Sequence, residues 1–501
     1  MSIGFVQTGG LSDWLTQIAN SVSWLMPEII IASTVLLLII FDLLFTKHKS
    51  LGLAVIAFTG LGFTFYTLMQ QWQVVETMTF FNRMLKLSNL SILLKLLFTI
   101  AAATVLVLMA NQQEEDKLAS TRSSEQYVML LTMLIGSFLM TMTMNLLLIY
   151  LGIELVSIAS YIITTLNPNK NRAEAALKYL IFGAVASALM LYGMSWLYGF
   201  TGTLQLDSDS FYAGLMTADD FALGIAILLT LAGILFKLGA FPMHLWSPDV
   251  YQTAPTPIVS FFSVVPKLAA LTIVLRLVVY VGDLWDWTLT LGIVALGSML
   301  VGNLSALWQQ DAKRMLAFSS IAHAGFLLLG LAVLSDTGNQ AFLFYGLIYS
   351  LMNFAAFTLV LLLERATGSS IMSDWKGLGK TFAFPSILML VVLVSLTGLP
   401  PTAGFNAKLY LFSALWESYV SSGSNFMLWL FAIGLFNTVI SLFYYLKIPY
   451  LLFFKTNSGS SVQKPSASLS FLGTLLVLPL LLLFFRSDWF VDLMNTINFT
   501  F

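Results

Sequence analysis

The 501-residue chain contains no cysteine. It therefore supplies no thiolate for zinc or for an iron–sulfur centre. Its three histidines, His48, His244 and His323, are too few and too scattered for a haem or metal cluster. No GxGxxG or phosphate-binding glycine loop appears, so any redox cofactor that the function requires has to sit on partner subunits. Charge is scarce as well: 9% of residues are ionised, against roughly 25% in soluble domains. The N-terminus lacks a basic n-region and a cleavage site, so no signal peptide is expected.

What is present is apolar. Hydrophobic residues make up 58% of the chain and mean hydropathy is +0.88, which defines a polytopic integral membrane protein. The net charge of −1 says nothing about partners, because in such a protein sign is distributed by side of the membrane. Runs long enough to cross a bilayer, about 20 residues each, fall near 24–45, 51–71, 84–110, 126–143, 145–166, 174–200, 220–242, 256–280, 287–307, 313–335, 340–364, 385–413, 425–453 and 468–486. The expectation is an all-α fold of about fourteen spans. Loop charges support this count. Lys47, Lys49, Lys117, Arg122, Lys170, Arg172, Lys313, Arg314, Arg365, Lys376, Lys380, Lys455 and Lys464 follow odd-numbered spans. Arg83 is the exception on the other side, where the loop after span 6 carries Asp207, Asp209, Asp219 and Asp220. By the positive-inside rule the odd-to-even loops are cytoplasmic and both termini face the opposite side.

An internal repeat is expected. ALKYLIFGAVASALMLYGMSWLYGFTG around span 6 and AFLFYGLIYSLMNFAAFTLVLLLERATG around span 11 share small-residue and aromatic placement. Each is followed by a span interrupted by proline and carrying a lysine: Lys237 before Gly239 and Pro242, and Lys408 after Pro400 and Pro401. Five spans separate the two, and an odd shift inverts topology. Spans 4–8 and 9–13 therefore read as two inverted five-helix repeats, each with a broken helix. Paired interrupted segments of this kind point to an ion pathway. The resulting division is an N-terminal three-helix segment (1–120), a first repeat (121–283), a second repeat (284–455) and a C-terminal helix (456–501).

The intramembrane ionisable residues carry the chemistry, because an ionisable group at that depth marks function by default. Glu154, in LLLIYLGIELVSIASYII, is either a neutral structural carboxyl or the partner of a lysine. Lys237 lies beside a helix break, where freed backbone groups require protein or water around them. A lysine there either gains and loses a proton or snorkels to an interface. Lys267 follows Pro266, and Lys408 follows the double proline of span 12. His244, seven residues past Lys237, is placed two helical turns on along the same face, where it either relays protons towards Lys267 or packs. His323, with Ser319 and Ser320 near, either lines a hydrated path or packs. Lys178 is a secondary candidate about a turn into span 6. Lys95, in span 3, is open between a lipid contact and a partner contact, and Arg276 is expected to reach the headgroups. Aromatic residues and methionines are assigned no chemistry.

FKLGAFPMHLWSPDVYQTAPTPIVSFFSVVPK, NLSALWQQDAKRMLAFSSIAHAGFLLLG and LTGLPPTAGFNAKLYLF resemble the signature of the antiporter-like subunits of respiratory complex I, the NADH-quinone oxidoreductase. The resemblance runs through spans 4–13, and its motifs are specific. Three features favour the subunit N (subunit 2) branch: the PDVY form of Pro248–Tyr251, a lysine at 408 rather than glutamate, and a chain that stops short of a long lateral helix. The resemblance implies a proton-translocating, non-redox subunit. In it Glu154 pairs with Lys237, Lys267 is the central relay, Lys408 faces the exit, and His244 lies on the hydrated axis. It implies NADH, FMN, iron–sulfur clusters and quinone on partner subunits, which include M and L types and the small K, J and A types. It also implies a bacterial plasma membrane, or a thylakoid for a plastid type. The rival is an Mrp-type sodium/proton antiporter subunit, which shares the fold and the charges. A purely structural scaffold would tolerate methionine at the buried lysines.

Overall fold

The computed structural model describes residues 19, 21–45, 49–74, 77–113, 123–166, 170–456, 465–497 and 499. Lys47, Lys117, Arg122 and Lys464, which carry part of the loop-charge reading, lie outside the described residues, as do His48 and both chain ends. The helices are α1 (Met26–Leu44), α2 (Lys49–Val74), α3 (Asn89–Gln113), α4 (Ser123–Met142), α5 (Leu146–Thr165), α6 (Lys170–Thr201), α7 (Asp209–Met216), α8 (Asp220–Leu238), α9 (Ser247–Thr253) and α10 (Thr256–Val281). They continue with α11 (Trp287–Leu307), α12 (Ala312–Ala332), α13 (Asp336–Thr367), α14 (Ala383–Thr397), α15 (Ala403–Ser422), α16 (Asn425–Phe454), α17 (Ala467–Phe485) and α18 (Asp488–Asn495).

Among the described residues, thirteen helices are long and apolar enough to span a bilayer. The remaining expected span, 385–413, is divided into α14 and α15. The start of span 3 also shifts. Met78–Phe80 and Leu85–Leu87 pair as an antiparallel hairpin, and the helix begins only at Asn89. Phe81, Asn82 and Arg83 take positive φ in its turn, a conformation that helix cannot accommodate.

Lipid tails are as apolar as leucine, so close packing and polar contacts, rather than hydrophobic exclusion, order these helices. The most apolar stretch of α10 is entirely buried, whereas those of α1, α16 and α17 are about a third buried or less. The central helix thus stands inside a ring. α11 and α12 approach closely at glycine: a Cβ on Gly302 would lie 2.6 Å from the Ala322 backbone nitrogen.

Two breaks position the site. Asp219 caps the start of α8 by accepting from the Ala222 N–H at 3.0 Å. The helix ends at Gly239, whose φ of 61° suits glycine, with the Ala240 N–H returning to the Leu235 carbonyl. Trp246 Nε1 donates to the Phe236 carbonyl at 2.9 Å, and the Phe241 N–H donates to Ser298 Oγ at 2.9 Å. Backbone groups freed by the break are thereby satisfied inside the protein. α14 ends the same way at Gly398, φ 84°, before the two prolines. The Gly404 N–H then meets Ser395 Oγ at 3.2 Å.

Arg276 does not reach the headgroups. It is 1% exposed and donates to the carbonyls of Met140, Thr141 and Thr143, at 3.1 Å and 2.9 Å for the first and last. The last carbonyls of α4 lack helical partners, and the guanidinium fork is shaped to cap several of them at once.

Candidate functional site

Lys237 stands in the last turn of α8, where the helix dipole favours a cation. It is 2% exposed, and its Nζ has no hydrogen-bond partner in the structure. The expected contact with Glu154 is absent. Glu154, partly buried on α5, instead accepts from the Ser187 hydroxyl of α6. Glu154 also lines a groove of about 650 Å3 between α5 and α6, together with Tyr161, Thr165 and Leu180.

Lys267 is fully buried on α10 and donates to the Ser320 carbonyl at 3.0 Å. A Cβ on Gly239 would stand 3.6 Å from its Nζ, so this ammonium faces the end of α8 two residues beyond Lys237. His244 is not two turns further along that helix, because the helix has already stopped at Leu238. It lies in the turns before α9, 8% exposed, with its ring stacked on Phe241 at 6.0 Å and Nδ1 without a partner.

His323 of α12 sits 2% exposed, within electrostatic reach of both Lys267 and Lys408. Its Nδ1 meets Tyr345 OH at 2.7 Å and its Nε2 meets Tyr445 OH at 3.0 Å; Tyr445 also contacts Ser319 Oγ. Beside it, Ser320 Oγ meets Tyr349 OH at 2.8 Å, and Tyr349 donates to the Ser263 carbonyl of α10 at 3.0 Å. Lys408 closes the row. Its Nζ donates to the Thr397 carbonyl at the end of α14 at 2.7 Å and lies 4.8 Å from the centre of the Phe326 ring.

The tyrosines of this network are the residues that composition conceals. Among so many membrane aromatics, only the Tyr345–Tyr349 spacing, one helical turn apart, and the adjacent Tyr444–Tyr445 distinguish them. Lys178 stands apart from the row. It is 46% exposed and pairs with Glu174 at 2.9 Å and Asp249 at 3.3 Å. These residues line a charged cavity of about 570 Å3 with Arg172, Lys313 and Glu364. There Asp249 also binds Arg314 at 2.7 Å, and Glu364 accepts from Thr256 at 2.6 Å and forms an ion pair with Lys313 at 3.4 Å. Lys95 is resolved as a buried ion pair with Glu28 at 2.6 Å, with Met142 Sδ at 2.8 Å from the same Nζ.

A membrane bundle with two broken helices and a buried row of lysines defines an antiporter-like membrane subunit. The family described as "NADH:quinone oxidoreductase/Mrp antiporter, TM" matches residues 143–441, and the chain belongs to it. It is 40% identical over 475 residues to the NADH-quinone oxidoreductase subunit N of Chlorobium chlorochromatii, covering 91% of each chain. It is 35% identical to the NAD(P)H-quinone oxidoreductase subunit 2 of a Synechocystis species, covering 85% of this chain and 80% of that one. Among solved structures, a chain of respiratory complex I from Thermus thermophilus superposes with a TM-score of 0.78 at 29% identity, over 93% of this chain and 99% of that one. A chain of the Mrp complex from a Dietzia species gives 0.78 at 18% identity, over 94% and 96%, a likeness of fold alone.

Proposed function

We propose that this chain is the subunit N type of membrane-arm subunit in an NADH:quinone oxidoreductase, and that it moves protons without redox chemistry of its own. The observation that carries the reading is the buried row Lys237, Lys267, His323 and Lys408, which threads both helix breaks. A charge on Lys237 is favoured by Glu154 and opposed by a charge on Lys267, because like charges repel strongly in low dielectric. Changing the Glu154–Lys237 distance therefore moves a proton towards Lys267 and, past His323, towards Lys408. His244 serves the first half from the break. Lys178 serves as part of the charged cytoplasmic mouth.

Spans 4–8 and 9–13 act as inverted halves, and both termini face away from the cytoplasm. NADH, FMN, iron–sulfur clusters and quinone belong to partner subunits. The membrane partners are antiporter-like M and L types and small K, J and A types, in a bacterial plasma membrane. An Mrp-type sodium/proton antiporter shares the fold, but the named relatives are quinone oxidoreductase subunits, which favours the first reading.

The deciding variant is Lys267→Met in the assembled complex, reconstituted into vesicles. Proton pumping driven by quinone reduction is expected to fall, while the amount of this chain retained in the purified complex, read by mass spectrometry, reports intact assembly. Undiminished pumping would show that the lysine row is scaffold.

A further inference from the structure

Lys408 ends the buried row, yet nothing described so far takes its proton to water. Two cavities lie beyond it. The first, about 450 Å3, is lined by Gly398, Lys408, Phe412, Ser413, Trp416 and Glu417. The second, about 250 Å3, is lined by Thr337, Gln340, Tyr410, Ser413, Glu417 and Met494. Ser413 and Glu417 line both. They stand one turn apart on α15, and both are exposed. Lys408 and Glu417 are separated by a rise of about 13.5 Å, and Glu417 is about 7.5 Å short of the helix end at Ser422. An acid on a spanning helix among exposed apolar Leu409, Trp416 and Val420 is costly unless water reaches it. The second cavity offers that water. It is bounded by the start of α13 and by α18, whose Val491 and Met494 form one wall. A water molecule takes about 30 Å3 of liquid volume, so the second groove, with Thr337, Gln340, Tyr410, Ser413 and Glu417 to bind it, has room for several.

We propose that Glu417, with Ser413 beside it, is the terminal proton carrier that connects Lys408 to the non-cytoplasmic surface. This rests on the proton-relay reading above. The N–H bond on Lys408 Nζ breaks and the proton crosses the first cavity along water and the Ser413 hydroxyl, which donates one proton as it accepts another. An O–H bond forms on Glu417, and Glu417 then gives the proton to water in the second cavity. Each step is a proton transfer, with no change in oxidation state. The α18 helix covers the outer cavity, so its seating against Phe344 controls access; Phe490 meets that ring at 6.0 Å.

The test uses the assembled complex in sealed vesicles, with Lys267→Met run alongside and the amount of this chain retained in the complex, read by mass spectrometry, reporting assembly. Glu417→Gln keeps the shape of the side chain and removes its acid. The rate through this chain is expected to fall by about a hundredfold, the low end of a positioned acid–base group's contribution, read as lost protons per electron. Glu417→Asp should restore part of it. Normal pumping by Glu417→Gln, with Lys267→Met defective, overturns the terminal carrier and leaves the relay standing. Normal pumping by Lys267→Met overturns both. Loss in Glu417→Gln without recovery in Glu417→Asp marks a structural role and also overturns it. Because the chain has no cysteine, Glu417→Cys adds its one thiol. A membrane-impermeant thiosulfonate should label this chain from the non-cytoplasmic side; labelling only from the cytoplasmic side, or none, overturns the proposal.

Discussion

Lys95 and Arg276 show what a single residue's depth reveals. Both are recognisable in the sequence as ions within spans, but neither partner is, because each partner comes from another helix. Arg276 finds the open carbonyls of α4, and Lys95 finds Glu28 of α1. With Lys95 fully buried and Glu28 6% exposed, removing either member strands the other charge. Glu28→Ala or Lys95→Ala should each cost about 3–5 kcal/mol, whereas Glu28→Leu combined with Lys95→Met should be close to neutral. Thermal inactivation of the purified complex, read against proteolytic release of the α1 segment, checks this. Single variants as durable as the parent would mean that the pair contributes little. The same reasoning explains Glu154: its depth is legible from sequence, but Ser187 as its hydrogen-bond partner is not.

At the scale of elements, the breaks were the most legible feature, because glycine and proline announce where a helix must stop. What lay past the first break was less legible. A spacing of seven residues aligns side chains only while the helix continues, and α8 ends before His244. At the second break the aliphatic stem of Lys408 lies across Gly398, where an added Cβ would come within 2.6 Å of Lys408 Cδ, at a φ that already disfavours side chains. Gly398→Ala is therefore expected to displace Lys408 from the Thr397 carbonyl and reduce pumping severalfold. Gly239→Ala carries a similar backbone strain, but it has 3.6 Å to its nearest neighbour, Lys267 Nζ, and should reduce pumping less. Comparing the two variants by protons per electron isolates the steric part. Equal losses would assign the effect to backbone conformation alone.

Across the whole molecule, the bundle and its number of crossings follow from apolar run length and loop charge. The tyrosine network does not, since it depends on α10, α12, α13 and α16 meeting around His323. The charged mouth likewise joins residues far apart in sequence, Asp249 to Arg314 and Thr256 to Glu364. Among the described residues no carboxylate lies within ion-pair distance of Lys237, Lys267 or Lys408; Lys267 and Lys408 instead donate to the carbonyls of Ser320 and Thr397. A metal cation entering this row would meet ammonium groups and would have to shed its hydration shell with few anionic ligands in return. Protons avoid that cost by moving along existing hydrogen bonds. Pumping should therefore keep its full yield in sodium-free medium, and isotopic sodium should not cross the vesicle membrane with turnover. Coupled sodium uptake would contradict this electrostatic filter. On the proton-relay reading, the same lysines keep other cations out of the row.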